Sequence, residues 1–201
     1  MRTIQALFLW ESNPVFSEYV LGRSSLPLEP KQLGLWPSNK GSKLGGDCDP
    51  HKQHLFDWSK DQLKKDWPSL EMRHKSNPPV PRIDNLRFWG EQWVKHGTCS
   101  VSMLDQYEYF SLALKLYNGI NLREMLRKES VIPRGTLVAR QAIFDAIRKH
   151  MKCKPQIRCQ EIQNQYYLYE IRFCLTASKD PKFIDCNTEF VGCSINPEVY
   201  F

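Results

Sequence analysis

The chain has 201 residues, 41 % of them hydrophobic, and a net charge of +6. That length suits one domain with a sizeable core, and six Trp, eight Tyr and ten Phe are available to fill it. No stretch approaches the roughly 18 consecutive apolar residues of a membrane-spanning helix, and no internal repeat or low-complexity tract is visible. The basic balance favours an anionic partner such as RNA or a membrane surface, although charge alone does not separate these from a solvated basic face.

Residues 1–10, MRTIQALFLW, hold one Arg and a short apolar run, followed by Glu11 with no clear small-residue cleavage site. This is not a convincing signal peptide. Residues 11–50 are rich in Ser, Pro, Gly and Leu without periodicity and read as loop or irregular structure. Residues 59–67 predict a short amphipathic helix ended by Pro68, and residues 74–82 a Pro-rich loop. A short helix over 87–94 carries Phe88, Trp89 and Trp93 on its apolar side; for the two Trp, core packing is favoured over stacking on a base.

Residues 102–117 give the clearest helix, with a stripe of Leu104, Tyr107, Leu112 and Leu116 and a stop at Asn118-Gly119. Asn121 with Glu124 resembles a capping box for a helix through Arg127. Another helix spans 137–150, with Leu137, Ile143, Ala146 and Ile147 available to the core, and 165–175 reads as a strand. Helices in the middle and strands toward the end indicate an α+β domain.

Seven cysteines begin at Cys48, and Cys153, Cys159, Cys174, Cys186 and Cys193 crowd the C-terminal part. Close Cys-x-x-Cys pairs of the zinc type are absent, so a disulfide framework in an oxidising compartment is the better reading, with at least one thiol left over. There is no Asn-x-Ser/Thr sequon.

Lys95 and His96 are adjacent, and Gln92 lies four residues before His96, on the same helical face. A His serves as general acid or base near neutral pH, and a Lys offsets developing negative charge on a phosphorane. Lys-His-Gly alone is a weak signal, since a lone His is more often structural.

The whole string FWGEQWVKHGTC, Phe88 to Cys99, is far more specific. It resembles an active-site segment of the ribonuclease T2 family, whose pattern is FWxxEWxKHGTC. Upstream, Gly34, Leu35, Trp36 and Pro37 resemble the family's other segment, HGLWP, and similarity continues through Trp67–Leu70, Tyr109-Phe110, Pro155–Cys159, Phe173-Cys174, Ile184–Cys186 and Gly192-Cys193. The resemblance implies a single T2-like domain over 33–201, a central antiparallel sheet flanked by several helices, and a divergent or truncated N-terminal segment over 1–32, which a reading frame joined near Leu33 would explain. It implies disulfides Cys48–Cys99, Cys159–Cys193 and Cys174–Cys186, leaving Cys153 over. It also implies cleavage of single-stranded RNA through a 2′,3′-cyclic phosphate, without metal or cofactor. DNA, lacking the 2′-OH, is not a substrate. No membrane contact is expected; the protein reads as a monomer, extracellular or vacuolar. Ser38 and Asn39 after Pro37 and the basic charge suggest the plant self-incompatibility type, which would bring a protein partner.

The catalytic set implied is His96 and Lys95, with Gln92 at the family's Glu position and Leu33 at its His position. Trp36 and Phe88 would stack bases, and Glu91 stands where many fungal members carry a further His. Leu33 cannot transfer a proton and Gln92 has no carboxylate, so impaired activity is expected. His51, His54 and His74 match no family position and read as loop residues. The alternative is a non-catalytic relative that binds RNA or a protein partner through the same groove.

Overall fold

In the computed structural model the described residues are 2–9, 31–39, 48–49, 60–69, 72–74, 81–83, 85–193, 195 and 197–201. The architecture is α+β, as the residue pattern predicts. Its main sheet has eight strands: β1 (Arg2–Leu9), β2 (Lys31–Asn39), β5 (Leu137–Ala139), β6 (Gln156–Ile162), β7 (Gln165–Thr176), β8 (Phe183–Ile184), β9 (Phe190–Val191) and β10 (Glu198–Tyr200). β3 (Met72–His74) and β4 (Pro81–Ile83) form a separate two-stranded sheet. Among the described residues the helices are α1 (Lys60–Asp66), α2 (Asn85–Lys95), α3 (Gln106–Gly119), α4 (Leu122–Lys128) and α5 (Arg140–Met151), with a 3₁₀ turn at Gly97–Ser100.

The 12-residue β7 organises the sheet, pairing with β1, β6, β8 and β10. Most pairings are antiparallel, but β10 with β7 and β6 with β9 are parallel, so the sheet is mixed rather than wholly antiparallel. β2 is an edge strand beyond β1. That place tolerates Pro37, which has no N–H to give to a ladder.

Leu168, Ile171, Phe173 and Leu175 of β7 are fully buried. An aromatic cluster links the helices: Trp67 meets Tyr109 and Phe110, and Trp93 meets Tyr109 edge-on at 5.6 Å. The three disulfides are Cys48–Cys99, Cys159–Cys193 and Cys174–Cys186, as the family resemblance implies, and Cys153 is a buried free thiol.

Several local readings change. Residues 31–39, read as irregular, form β2, because β1 supplies the ladder that their sequence does not advertise. The ends of the Pro-rich loop pair, His74 with Pro81. The helix read from 102 begins at Gln106. Asp105 caps it: the Asp105 side chain accepts from Glu108 N–H at 2.8 Å and Asp105 N–H donates to the Glu108 carboxylate at 2.9 Å. Tyr107, placed on the apolar stripe, is 58 % exposed, and Tyr109, Phe110 and Ala113 are buried instead. Residues 137–139 are a strand rather than a first helical turn, drawn into the sheet by β10.

Candidate active site

Two elements converge on the site. α2 turns its apolar face inward through Trp89 and Trp93, four apart and fully buried, with Trp89 Nε1 donating to Trp67 O at 2.8 Å. Both Trp are core residues, as expected. The adjacent row of the helix brings Gln92 and His96 together, and His96 N–H closes the last helical turn on Gln92 O at 3.0 Å.

Each residue after His96 has a local task. A side chain at Gly97 would put its Cβ 2.2 Å from the Trp93 ring, so glycine lets the 3₁₀ turn lie against that indole. Thr98 Oγ1 donates to Val94 O at 2.7 Å and accepts from Asp49 N–H at 3.3 Å. Cys99 ties the turn to Cys48. Lys95 is exposed.

β2 forms the facing wall. Leu7 pairs with Gly34 and Phe8 with Gln32, so Leu33 is the extra residue of a bulge. Bulges interrupt a ladder and re-aim the strand beside functional sites. Leu35 is buried, and its carbonyl accepts from the Tyr109 hydroxyl at 2.7 Å. Trp36 leaves the core and stacks on His96, ring centroids 4.5 Å apart and planes 21° from parallel. Its Nε1 donates to Gln92 Oε1 at 3.3 Å. A Cβ on Gly34 would stand 2.4 Å from Trp36 Nε1 and 3.2 Å from Gln92 Oε1. Gly34, Trp36, Gln92 and His96 therefore form one cluster.

Burial, reinforced by the neighbouring Lys95 charge, lowers the His96 pKa to about 4. The imidazole is neutral at pH 7, free to accept a proton but a weaker base than an ordinary His, with none to give.

The remaining candidates lie elsewhere. Phe88 is half-buried, edge-on to Trp67 at 6.5 Å. Glu91 is exposed and paired with Arg87 at 2.6 Å. His74 lies in β3, and His51 and His54 fall outside the described residues. Among the described residues no group of three or more His, Cys, Asp or Glu is arranged to hold a metal ion.

The sequence reading missed Arg172. Its guanidinium carbon lies 5.2 Å from the Trp36 ring centroid, and its Nε pairs with buried Glu170 at 2.9 Å. A signal existed: Glu170 and Arg172 interrupt the apolar face of a strand otherwise rich in aromatic and branched residues.

The model of the Ribonuclease T2 family matches residues 31–186, which takes in both walls of this cluster. The chain belongs to the Ribonuclease T2 family. Among its T2 relatives is intracellular ribonuclease LX of Solanum lycopersicum, 35 % identical over 160 residues, covering 76 % of this chain and 62 % of that protein. A ribonuclease-like storage protein of Panax ginseng is 32 % identical over 124 residues, covering 61 % of this chain and 48 % of the relative. The match to the first of these thus spans about three fifths of the relative's length. A T2 crystal structure, that of a mutant RNase MC1 in complex with 5′-GMP, superposes with a TM-score of 0.79 and 26 % identity over 99 % of this chain and 98 % of that one.

Proposed function

We propose that this chain binds single-stranded RNA across the Trp36–His96 cluster and cleaves it slowly, as an impaired member of the T2 endoribonucleases. The observation that carries the reading is the composition of that cluster. His96 is a neutral imidazole beside exposed Lys95, while Gln92 gives its oxygen to Trp36 and the residue at the β2 bulge is Leu33. His96 accepts the proton of the ribose 2′-OH as that oxygen bonds to phosphorus. The Lys95 ammonium offsets the charge on the phosphorane. The P–O5′ bond then breaks to leave a 2′,3′-cyclic phosphate, and the departing 5′-oxygen takes its proton from water, slowly, because neither Leu33 nor Gln92 delivers one.

Each missing acid/base group costs about 10²- to 10⁴-fold in rate, and losses within one catalytic unit are less than additive. Trp36 and Phe88 are the proposed base-stacking residues. Three disulfides support an extracellular or vacuolar setting. The self-incompatibility type, with its protein partner, rests on Ser38, Asn39 and the net charge of +6.

The test is cleavage of single-stranded RNA in EDTA by the wild type and by the double variant L33H/Q92E. The expected result is a weak, metal-independent cyclic-phosphate product that rises about 10²- to 10⁴-fold in the double variant. Wild-type turnover equal to that of the double variant overturns the reading. Binding with no product in the wild type transfers the chain to the non-catalytic alternative.

A further inference from the structure

We infer that Arg172 and Glu170 are positioning residues: partly buried Arg172, held by buried Glu170, fixes the Trp36 indole against the ring of His96. The inference concerns the site proposed above, but its test reads ring contacts and protonation rather than turnover.

Sheet register brings these residues to one face. Gly34 pairs with Leu7, and Leu7 with Arg172, so Gly34 and Arg172 lie in one line across three strands. Directly paired residues share a face, as do residues two apart along a strand. Trp36 and Glu170 therefore belong to the same face as Gly34 and Arg172. With no side chain on Gly34, the Trp36 indole can lie where Gln92 and Arg172 both reach it.

Glu170 anchors the arrangement. It is fully buried, and its Oε2 accepts from Arg172 Nε at 2.9 Å and from Arg158 Nη1 at 3.0 Å. Arg158 stands opposite Glu170 in the β6–β7 ladder. Two guanidinium groups on one carboxylate leave net positive charge in a poorly solvated place. Arg172, the less exposed of the two, presents that charge to the electron-rich indole of Trp36. A guanidinium can donate in its plane to a carboxylate while its face lies on a ring, and an ammonium cannot do both. Glu170 Oε1 is buried with no hydrogen-bond partner among the described residues. A buried ionic cluster with an unsatisfied oxygen is poor as a stabilising device, which favours a role in fixing the site.

Among the described residues, Lys95 beside His96 is the charge that acts on it; Asp49 belongs to the segment whose N–H bonds Thr98, and the Arg172–Glu170–Arg158 cluster lies beyond Trp36. A merely electrostatic influence of that cluster differs in sign from a positioning one. The experiment is an NMR titration of the His96 ring, with Trp36–His96 ring NOEs, in the wild type, R172K and E170Q.

Positioning predicts that both variants loosen the indole, weaken the NOEs and raise the His96 pKa from about 4 toward the ordinary 6.5, to about 5 or above, as water reaches the ring. A charge effect alone leaves R172K unchanged and moves E170Q down, because a negative charge is removed. An unchanged R172K titration with intact NOEs overturns the inference. Should E170Q fail to give a dispersed amide spectrum, R172K decides, because it keeps the charge and the carboxylate partner.

Discussion

The wall made by α2 and the 3₁₀ turn has several contacts between near neighbours in sequence, besides the long-range ones from Trp67, Asp49 and Cys48. Trp93 packs under Gly97, Thr98 bonds Val94, and His96 closes on Gln92. In the β2 wall the holding groups come from far along the chain. Tyr109 bonds Leu35 across 74 positions, Gln92 bonds Trp36 across 56, and Arg172 reaches Trp36 from two strands away. Each wall carries one departure from its motif, Gln92 in the first and Leu33 in the second. Local tasks preserve the shape of a segment whatever its chemistry does, whereas a wall held from a distance depends on the whole fold.

Three experiments break or sharpen that contrast. The largest effect is expected from the Cys48–Cys99 link, which ties the segment after β2 to the 3₁₀ turn and closes a separation of 51 residues. Replacing both cysteines with Ser should lower stability by about 2–4 kcal/mol in urea unfolding, and the His96 ring signals should broaden as the walls separate. A loss confined to stability, with sharp His96 signals, would mean the walls meet without it.

Next come the two glycines. Gly97→Ala drives a methyl against the fully buried Trp93 and should cost about 1–3 kcal/mol. Gly34→Ala meets the half-buried Trp36, which can swing outward, so the stability cost should stay below about 1 kcal/mol. The signature there is loss of the indole Nε1–H bond to Gln92, visible as a shifted indole proton. Equal costs at the two positions would erase the difference between the walls.

The last effect is in acid. The folded His96 pKa of about 4 lies below the ordinary 6.5, so between those values the unfolded chain binds the extra proton. Stability is then full above 6.5 and falls as pH drops toward 4, by about 1–2 kcal/mol once solvent screening of a partly exposed ring is allowed for. Comparing urea midpoints at pH 7 and 4.5 for the wild type and His96→Gln isolates this from the titrating carboxylates. An identical pH dependence in the two proteins rules it out.

Much of the first wall was legible from residues alone. Trp89 and Trp93 at helical spacing declare a core face, and Gln92 and His96 the row beside it. The Asp105–Glu108 cap went unread, and it is the reason α3 begins at Gln106 rather than at Ser102. β2 was harder to read. Gly34, Pro37 and Ser38 break the alternation that marks a strand, and only pairing with β1 makes one of them. The same holds for Leu137–Ala139, whose partner is the last strand of the chain.

The sequence by itself determined the family, the disulfide partners by resemblance, and the helices, because caps, helical periodicity and a motif of contiguous residues are local properties of the chain. Only the tertiary structure decided that Trp36 lies on His96, that Gln92 turns its oxygen to that indole, and that Glu170 and Arg172 stand behind it. Those contacts join residues from β2, α2 and β7, and the register of three strands, which no single segment encodes, sets which side chains meet.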